Sequence, residues 1–153
     1  MVTPDGLLSH VYGPVAGSRH DMHMWHDSRL EDIMSSEGFE SYSVFGDQGY
    51  TDAGHLHCPV PGVLLEPEEI QFNEGMLPHR LTVEWGFMIV TQSWLYFQRP
   101  AYLRIQNLQV TDIYMLAIML SNLRTCYKRR NIISDHFGCT PCTPRQYLGL
   151  DPP

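Results

Sequence analysis

The sequence has little positive charge, with 10 Lys and Arg residues against 17 Asp and Glu residues and a formal net charge of −7. A protein that binds nucleic acid through a uniformly basic surface carries the opposite balance, so the composition argues against that class. The deficit is uneven. Residues 1–84 contain 14 acidic and 3 basic residues, whereas residues 85–153 contain 3 acidic and 7 basic residues. The positive charge is therefore concentrated in the second half of the chain.

Long apolar runs and an export signal are also missing. The chain begins with Pro4, Asp5 and Gly6 where a secretory signal needs an unbroken apolar core. No stretch approaches the ~20 apolar residues of a membrane-spanning helix. Without an export signal, the four cysteines are expected to be reduced thiols. These absences predict a soluble intracellular protein with no membrane partner, and 43% apolar residues are enough for the core of one domain.

Apolar spacing and turn residues predict alternating strands and helices, which indicates an α/β layer fold. Three short segments are predicted as strands: 7–12, 41–46 and 56–60. Three longer segments are predicted as helices: 22–35, 78–94 and 111–130. Asp21 is expected to be the N-cap of the first helix, and Pro78 to open the second. Residues 62–76 are expected to form an acidic loop.

Asp47 directly follows the second predicted strand, in Gly46-Asp47-Gln48-Gly49. Ligand sites in α/β sheets gather at strand ends, and flanking glycines permit tight turns and close backbone approach. The alternative is a turn aspartate that accepts a hydrogen bond from its own backbone. Both interpretations remain open on this motif alone.

Glu84 lies in a stretch, 81–90, that is otherwise without charge. A carboxylate on a largely buried helix needs a partner or a metal ion. Arg80, one turn earlier, is the alternative partner, and the neighbouring Gly86 indicates close packing.

Asp21 presents a similar choice, since an N-cap role would account for it. Hard cations such as Mg²⁺ take a few carboxylates and keep waters, so three acids from separate segments could bind one ion.

Three other groups of residues indicate minor alternatives. Histidines recur at i, i+3 and i+6, in His20, His23 and His26. The third rotates away from the helix face of the first two, so zinc is the weaker interpretation. Cys139 and Cys142 form a single CxxC without a second pair. The basic cluster at 124–130 is typical of a solvated helix end, with phosphate contact as the alternative.

Four motifs occur in order: Gly17-Ser18-x-His20-Asp21, Gly46-Asp47-x-Gly49-Tyr50, Phe72-Asn73 and Arg80-x-x-Val83-Glu84-x-Gly86. With these motifs the chain resembles, over about residues 5–130, the DDE superfamily endonuclease domain of Harbinger-type transposases and of nuclease-like proteins derived from them. The 26 residues from Asp21 to Asp47 and the 37 from Asp47 to Glu84 suit that family. The later Pro144-x-x-Tyr147-Leu148 is also similar to it.

The resemblance implies an RNase H-like fold, a mixed sheet flanked by helices, with a divalent-metal site that cuts or joins DNA. Asp47 and Glu84 would be catalytic acids and ligands of Mg²⁺ or Mn²⁺, and Asp21 would be an additional metal ligand. His20 would orient its neighbour. DNA would be the substrate, a separate protein could supply DNA binding, and the nucleus would be the location.

The family's first acid lies on a strand upstream of the Asp5-Gly6 turn. The resemblance therefore predicts a chain that lacks its first strand and first acid: a fragment, an incomplete gene model or a decayed copy. It divides the sequence into a partial endonuclease domain at 1–130 and an extended tail at 131–153. The missing acid also supports a second hypothesis, a catalytically inactive remnant that acts as a protein-interaction module.

Overall fold

The computed structural model describes residues 1–13, 15, 20–99 and 110–151. Its elements in chain order are α1 (Asp21–Asp27), α2 (Leu30–Met34), β1 (Val44–Phe45), β2 (Leu56–His57), α3 (Pro67–Ser93), a 3₁₀ helix (Leu95–Gln98), α4 (Val110–Lys128), α5 (Ile132–Phe137) and α6 (Pro144–Tyr147). The chain divides into two compact units. The central unit is Tyr12–Leu81, and the terminal unit combines Met1–Val11 with Thr82–Pro153.

The sheet of the central unit consists of β1 and β2, which pair in parallel with Val44 opposite Leu56 and Phe45 opposite His57. Both strands lie inside the predicted segments 41–46 and 56–60, and each is shorter than its prediction. A helix-rich α/β fold is therefore confirmed. The described residues show this small parallel sheet rather than the larger mixed sheet of an RNase H-like fold.

The helix predicted at 22–35 is divided into α1 and α2. The Ser28 hydroxyl donates to the Trp25 carbonyl at 2.7 Å and accepts from the Leu30 N–H at 3.3 Å. Such side-chain bonds compete with helix continuation, and Arg29 adopts a left-handed φ of 55° at the break. The apolar faces of both helices pack on the sheet in one buried cluster: Trp25, Leu30, Met34, Leu56 and Cys58.

Helix α3 shows that two predictions were wrong. The acidic segment 62–76 is not a loop throughout, because α3 begins at Pro67. Pro67 suits the first helical position, and Glu68 and Glu69 in the first turn favour the positive end of the helix dipole. Pro78 lies inside the helix instead of opening it. Acidic residues that indicated a loop are therefore the start of a 27-residue helix.

Helix α4 confirms the helix predicted from residue 111 and organises the core of the terminal unit. The buried members of this core are Leu8, Val90, Ala117 and Ile118. Asn122 on α4 accepts from the Leu8 N–H and donates to the Leu8 carbonyl, each at 3.0 Å. Leu8 also forms an isolated antiparallel bridge with Val2. The strand predicted at 7–12 is therefore reduced to this single bridge, and the Asn122 side chain pairs with the Leu8 backbone where a further strand would lie.

The described part of the predicted tail, residues 131–151, is not extended throughout, because it contains two short helices. Capping boxes start two short helices, with Asn131 accepting from the Ser134 N–H at 2.9 Å and Thr143 from the Gln146 N–H at 3.2 Å. These Asn-x-x-Ser and Thr-x-x-Gln pairs satisfy donors that a helix start leaves free. Across the described ranges, no helix is long and apolar enough to cross a membrane.

Candidate functional site

Asp47 lies just beyond the carboxyl end of β1, beside the end of β2. Gly46 connects it to the strand and is buried. A Cβ on Gly46 would lie 3.0 Å from Leu56 Cδ1 and 3.2 Å from Cys58 Sγ, so a side chain here would crowd these two residues. Parallel pairing places Asp47 and Cys58 at the same edge of the sheet, which is where ligand sites of α/β folds gather.

The Asp47 carboxylate also forms the turn proposed as its alternative role. Its Oδ1 accepts a hydrogen bond from the Gly49 N–H at 2.9 Å, and its carbonyl accepts from the Tyr50 N–H at 3.2 Å. The side chain is exposed, and its Oδ2 forms no hydrogen bond with a described residue. The turn therefore orients one carboxylate oxygen and leaves the other available to a ligand.

Asp21 and Asp47 come together at Gly49. A Cβ on Gly49 would contact Asp21 Oδ2 and would lie 3.1 Å from Asp47 Oδ1, so both carboxylates border the space that this glycine leaves open. Both also act on Tyr50: burial raises the pKa of its phenol, and the negative charges of Asp21 and then Asp47 raise it further. Two of the three predicted metal ligands therefore share one site in the central unit.

The predicted N-cap role does not account for Asp21. The N-cap of α1 is His20, whose side chain forms no capping hydrogen bond, and Asp21 is the first helical residue. An acid in the first turn still favours the positive end of the dipole. Gly17 and Ser18, which complete this motif, lie outside the described residues.

Glu84 lies on the part of α3 that belongs to the terminal unit. Its side chain is exposed, and no described residue forms an ion pair with it, so neither the burial argument nor the pairing with Arg80 holds. The close packing predicted at Gly86 is present, since a Cβ there would lie 2.8 Å from Val2 Cγ2. A role for Glu84 beside the paired aspartates stays a prediction.

The zinc alternatives receive no support. Over the described parts of the chain, no three His, Cys, Asp or Glu side chains are close enough to hold a metal ion. In the CxxC, Cys139 is exposed, while Cys142 Sγ lies 3.8 Å from Cys126 Sγ on α4. Cys142 therefore contacts the buried thiol of Cys126, and the CxxC does not form part of a zinc site.

Two polar residues that sequence reasoning left without a role support the end of β2. Asn73 of α3 accepts from the Val60 N–H at 2.9 Å and donates to the Val60 carbonyl at 3.0 Å. The Asp52 carboxylate accepts from the Cys58 N–H at 3.3 Å. The Phe72-Asn73 motif was the available signal for Asn73, whereas Asp52 had none because its partner lies on the strand after the turn.

The surroundings of Cys58 disfavour the reactive form of its thiol. Burial raises the pKa of its thiol, the charges of Asp52 and Asp47 raise it further, and Arg80 acts in the opposite direction. The thiolate is the nucleophilic form of cysteine, and here it is disfavoured. The carboxylate oxygens of Asp21 and Asp47 are therefore better suited than this thiol to bind a ligand at this edge.

Comparison with known families matches residues 1–122 to the family described as DDE superfamily endonuclease. The matched range includes Asp21, Asp47 and Glu84. No curated protein and no solved structure gives a significant match. Because the match extends over most of the chain, this protein belongs to the DDE superfamily endonuclease family.

Proposed function

We propose that this chain is a divalent-metal-dependent endonuclease domain that acts on DNA phosphodiesters and derives from a Harbinger-type transposase. The observation that carries the proposal is the pairing of Asp21 with Asp47 at Gly49. DDE superfamily endonucleases generally use divalent metal ions, and the pair lies within the matched range. An RNase H-like arrangement and Glu84 as the third acid belong to the same proposal.

The donor set of the pair fits Mg²⁺ or Mn²⁺. Mg²⁺ is commonly bound by one or two carboxylates and completes its shell with waters and substrate phosphates. No described residue forms a hydrogen bond with Asp47 Oδ2, and Gly49 leaves the space beside both carboxylates open. When bound, such an ion polarises a phosphoryl oxygen and lowers the pKa of a coordinated water.

The protein groups at this site favour hydrolysis over covalent catalysis. The raised pKa of Tyr50 keeps its phenol protonated at neutral pH, so it can donate a hydrogen bond. The raised pKa of Cys58 disfavours its thiolate, so this thiol is a poor candidate for a protein nucleophile. Asp47 is held in one orientation by the Gly49 N–H, which preorganises the carboxylate before a ligand binds.

Metal binding is tested by calorimetric titration of Mn²⁺ into the wild type, Asp21→Asn and Asp47→Asn. Each substitution removes one charged ligand, and we expect at least about tenfold weaker binding, as for loss of a contact worth about 1.4 kcal/mol. Asp32→Asn is the matched control, because Asp32 is an exposed acid of the same unit that pairs with Arg29 at 3.0 Å. Equal affinity in all four proteins contradicts the metal site.

Activity is tested by nicking of supercoiled DNA in Mn²⁺. We expect nicking by the wild type, loss in Asp47→Asn and loss in Glu84→Gln. Because Glu84 is exposed and unpaired among described residues, its substitution should leave the fold intact. Metal binding without nicking would favour the inactive interaction module. Nuclear location and a separate DNA-binding partner are further parts of the proposal, and they rest on the family resemblance.

A further inference from the structure

A groove in the terminal unit is lined by three of the ten basic residues of this acidic chain. It lies between the end of α3 and α4 and has a volume of about 390 Å³. The charged residues that line it are all cations: Arg124, Lys128 and Arg130. The lining contains no acidic side chain, so the local potential opposes the overall charge of −7.

Two of these cations face the groove, and no carboxylate in the described part of the chain pairs with either. Arg124 and Lys128 lie one turn apart on α4, so they share a helix face. The Arg124 Nη1 donates to Ser93 Oγ at 2.8 Å, which holds the guanidinium across the groove towards α3. Lys128 is exposed, and no described residue pairs with it. Arg130 differs, because it forms an ion pair with Asp135 at 2.9 Å.

The helix dipole of α4 explains the position of Lys128 but not that of Arg124. A cation in the last turn of a helix is stabilised by the negative end of the dipole, and Lys128 is in that position. Arg124 precedes the last turn and lies one turn from a like charge, which is unfavourable in the absence of an anion. A bound anion would remove this repulsion.

We propose that this groove binds the phosphate backbone of DNA, with Arg124 and Lys128 as the phosphate contacts. The choice of DNA as the polyanion rests on the proposed function, whereas none of Asp21, Asp47 and Glu84 lines the groove. A guanidinium offers a fork of donors that matches phosphate geometry, and neutral side chains such as that of the exposed Gln92 add further donors. Such contacts position a duplex without reading its sequence.

The test measures binding of a fluorescent duplex to the full chain at several salt concentrations in EDTA, so that metal binding and cleavage do not contribute. Log K falls as log[salt] rises, and each lost phosphate contact makes this slope less steep by about 0.9. At 0.1 M salt, the loss of one contact corresponds to roughly eightfold weaker binding. We expect this change for Lys128→Gln and twice the slope change for Arg124→Gln/Lys128→Gln. Thermal melts of each variant establish that the fold is retained.

Arg145→Gln is the control, because it removes the same charge from an exposed residue that pairs with Asp151 at 2.8 Å outside the groove. Its affinity should match that of the wild type. No binding by the wild type, equal binding by the groove variants, or an equal loss in the control overturns the proposal. Displacement of DNA by polyglutamate at equal charge also overturns it, in favour of an acidic protein partner. Binding in EDTA combined with no nicking in the separate Mn²⁺ assay contradicts the proposed nuclease and leaves the groove supported.

Discussion

Asp21 and Asp47 approach each other over Gly49, although one begins a helix and the other follows a strand. Gly49 permits the two carboxylates to come this close, because a side chain at this position would occupy the space between them and the backbone. The proposed metal site therefore depends on a residue that supplies no ligand atom.

Gly49→Ala should weaken Mn²⁺ binding at least about tenfold, since the new Cβ would meet Asp21 Oδ2 and lie 3.1 Å from Asp47 Oδ1. Gly49 is exposed, so we expect the melting temperature to change little. The control is Gly75→Ala, whose Cβ would meet nothing within 4 Å. Calorimetry that gives the same affinity for Gly49→Ala and the wild type contradicts the role of this glycine.

The two glycines of α3 should respond oppositely to alanine. Gly75→Ala places a methyl group in open space and should stabilise the protein by about 0.5–1 kcal/mol through helix propensity. Gly86→Ala places its Cβ 2.8 Å from Cγ2 of Val2, a stiff β-branched side chain, and should destabilise by about 1–3 kcal/mol. Urea unfolding followed by circular dichroism measures both, and a similar gain in the two variants would show that Gly86 is not tightly packed.

Asn122→Ala should be among the most destabilising polar substitutions in the terminal unit. It leaves the N–H and carbonyl of Leu8 buried without the partner that Asn122 supplies, and each unpaired group costs about 1–3 kcal/mol. Tyr147→Phe is the comparison, because it removes only the 3.2 Å bond from Asn122 Nδ2 to the Tyr147 hydroxyl and should cost about 1 kcal/mol. Equal losses in chemical denaturation would contradict this account.

Alkaline pH should destabilise the chain through Cys126. Burial, together with the hydrogen bond and the charge of the neighbouring Cys142, raises the pKa of its thiol from 9.0 to about 12. The folded state therefore holds this proton more tightly than the unfolded state, so the stabilisation is complete below pH 9 and is lost as the pH rises from 9 towards 12. Urea unfolding between pH 8 and 10.5 measures the decline.

Two variants identify the source of that decline. Cys126→Ala removes the titrating thiol and should show a shallower loss of stability above pH 9. The exposed Cys139 makes Cys139→Ala the control, which should retain the slope of the wild type. An unchanged slope in Cys126→Ala would assign the alkaline transition to other groups.

Local chemistry was a good guide wherever a structural feature depends on near neighbours. The apolar spacing of α4, the short β-prone segments of β1 and β2, and the turn at Asp47 are all present in the structure. The capping pairs that begin α5 and α6 are also local features of the sequence, but this segment was predicted as an extended tail. The clearest local failure was α3, where acidic residues and Pro78 suggested breaks in a helix that continues through them.

In the candidate site, too, some features follow from the local sequence and others depend on the tertiary structure. Asp47 at a strand end and an acid at the start of α1 follow from the order of residues, and with Glu84 they carry the resemblance to DDE superfamily endonucleases. The convergence of Asp21 with Asp47, the exposure of Glu84 and the basic groove were decided by tertiary structure. Each depends on contacts between residues far apart in the chain, whose free energy comes from packing and strand pairing that local propensity does not report.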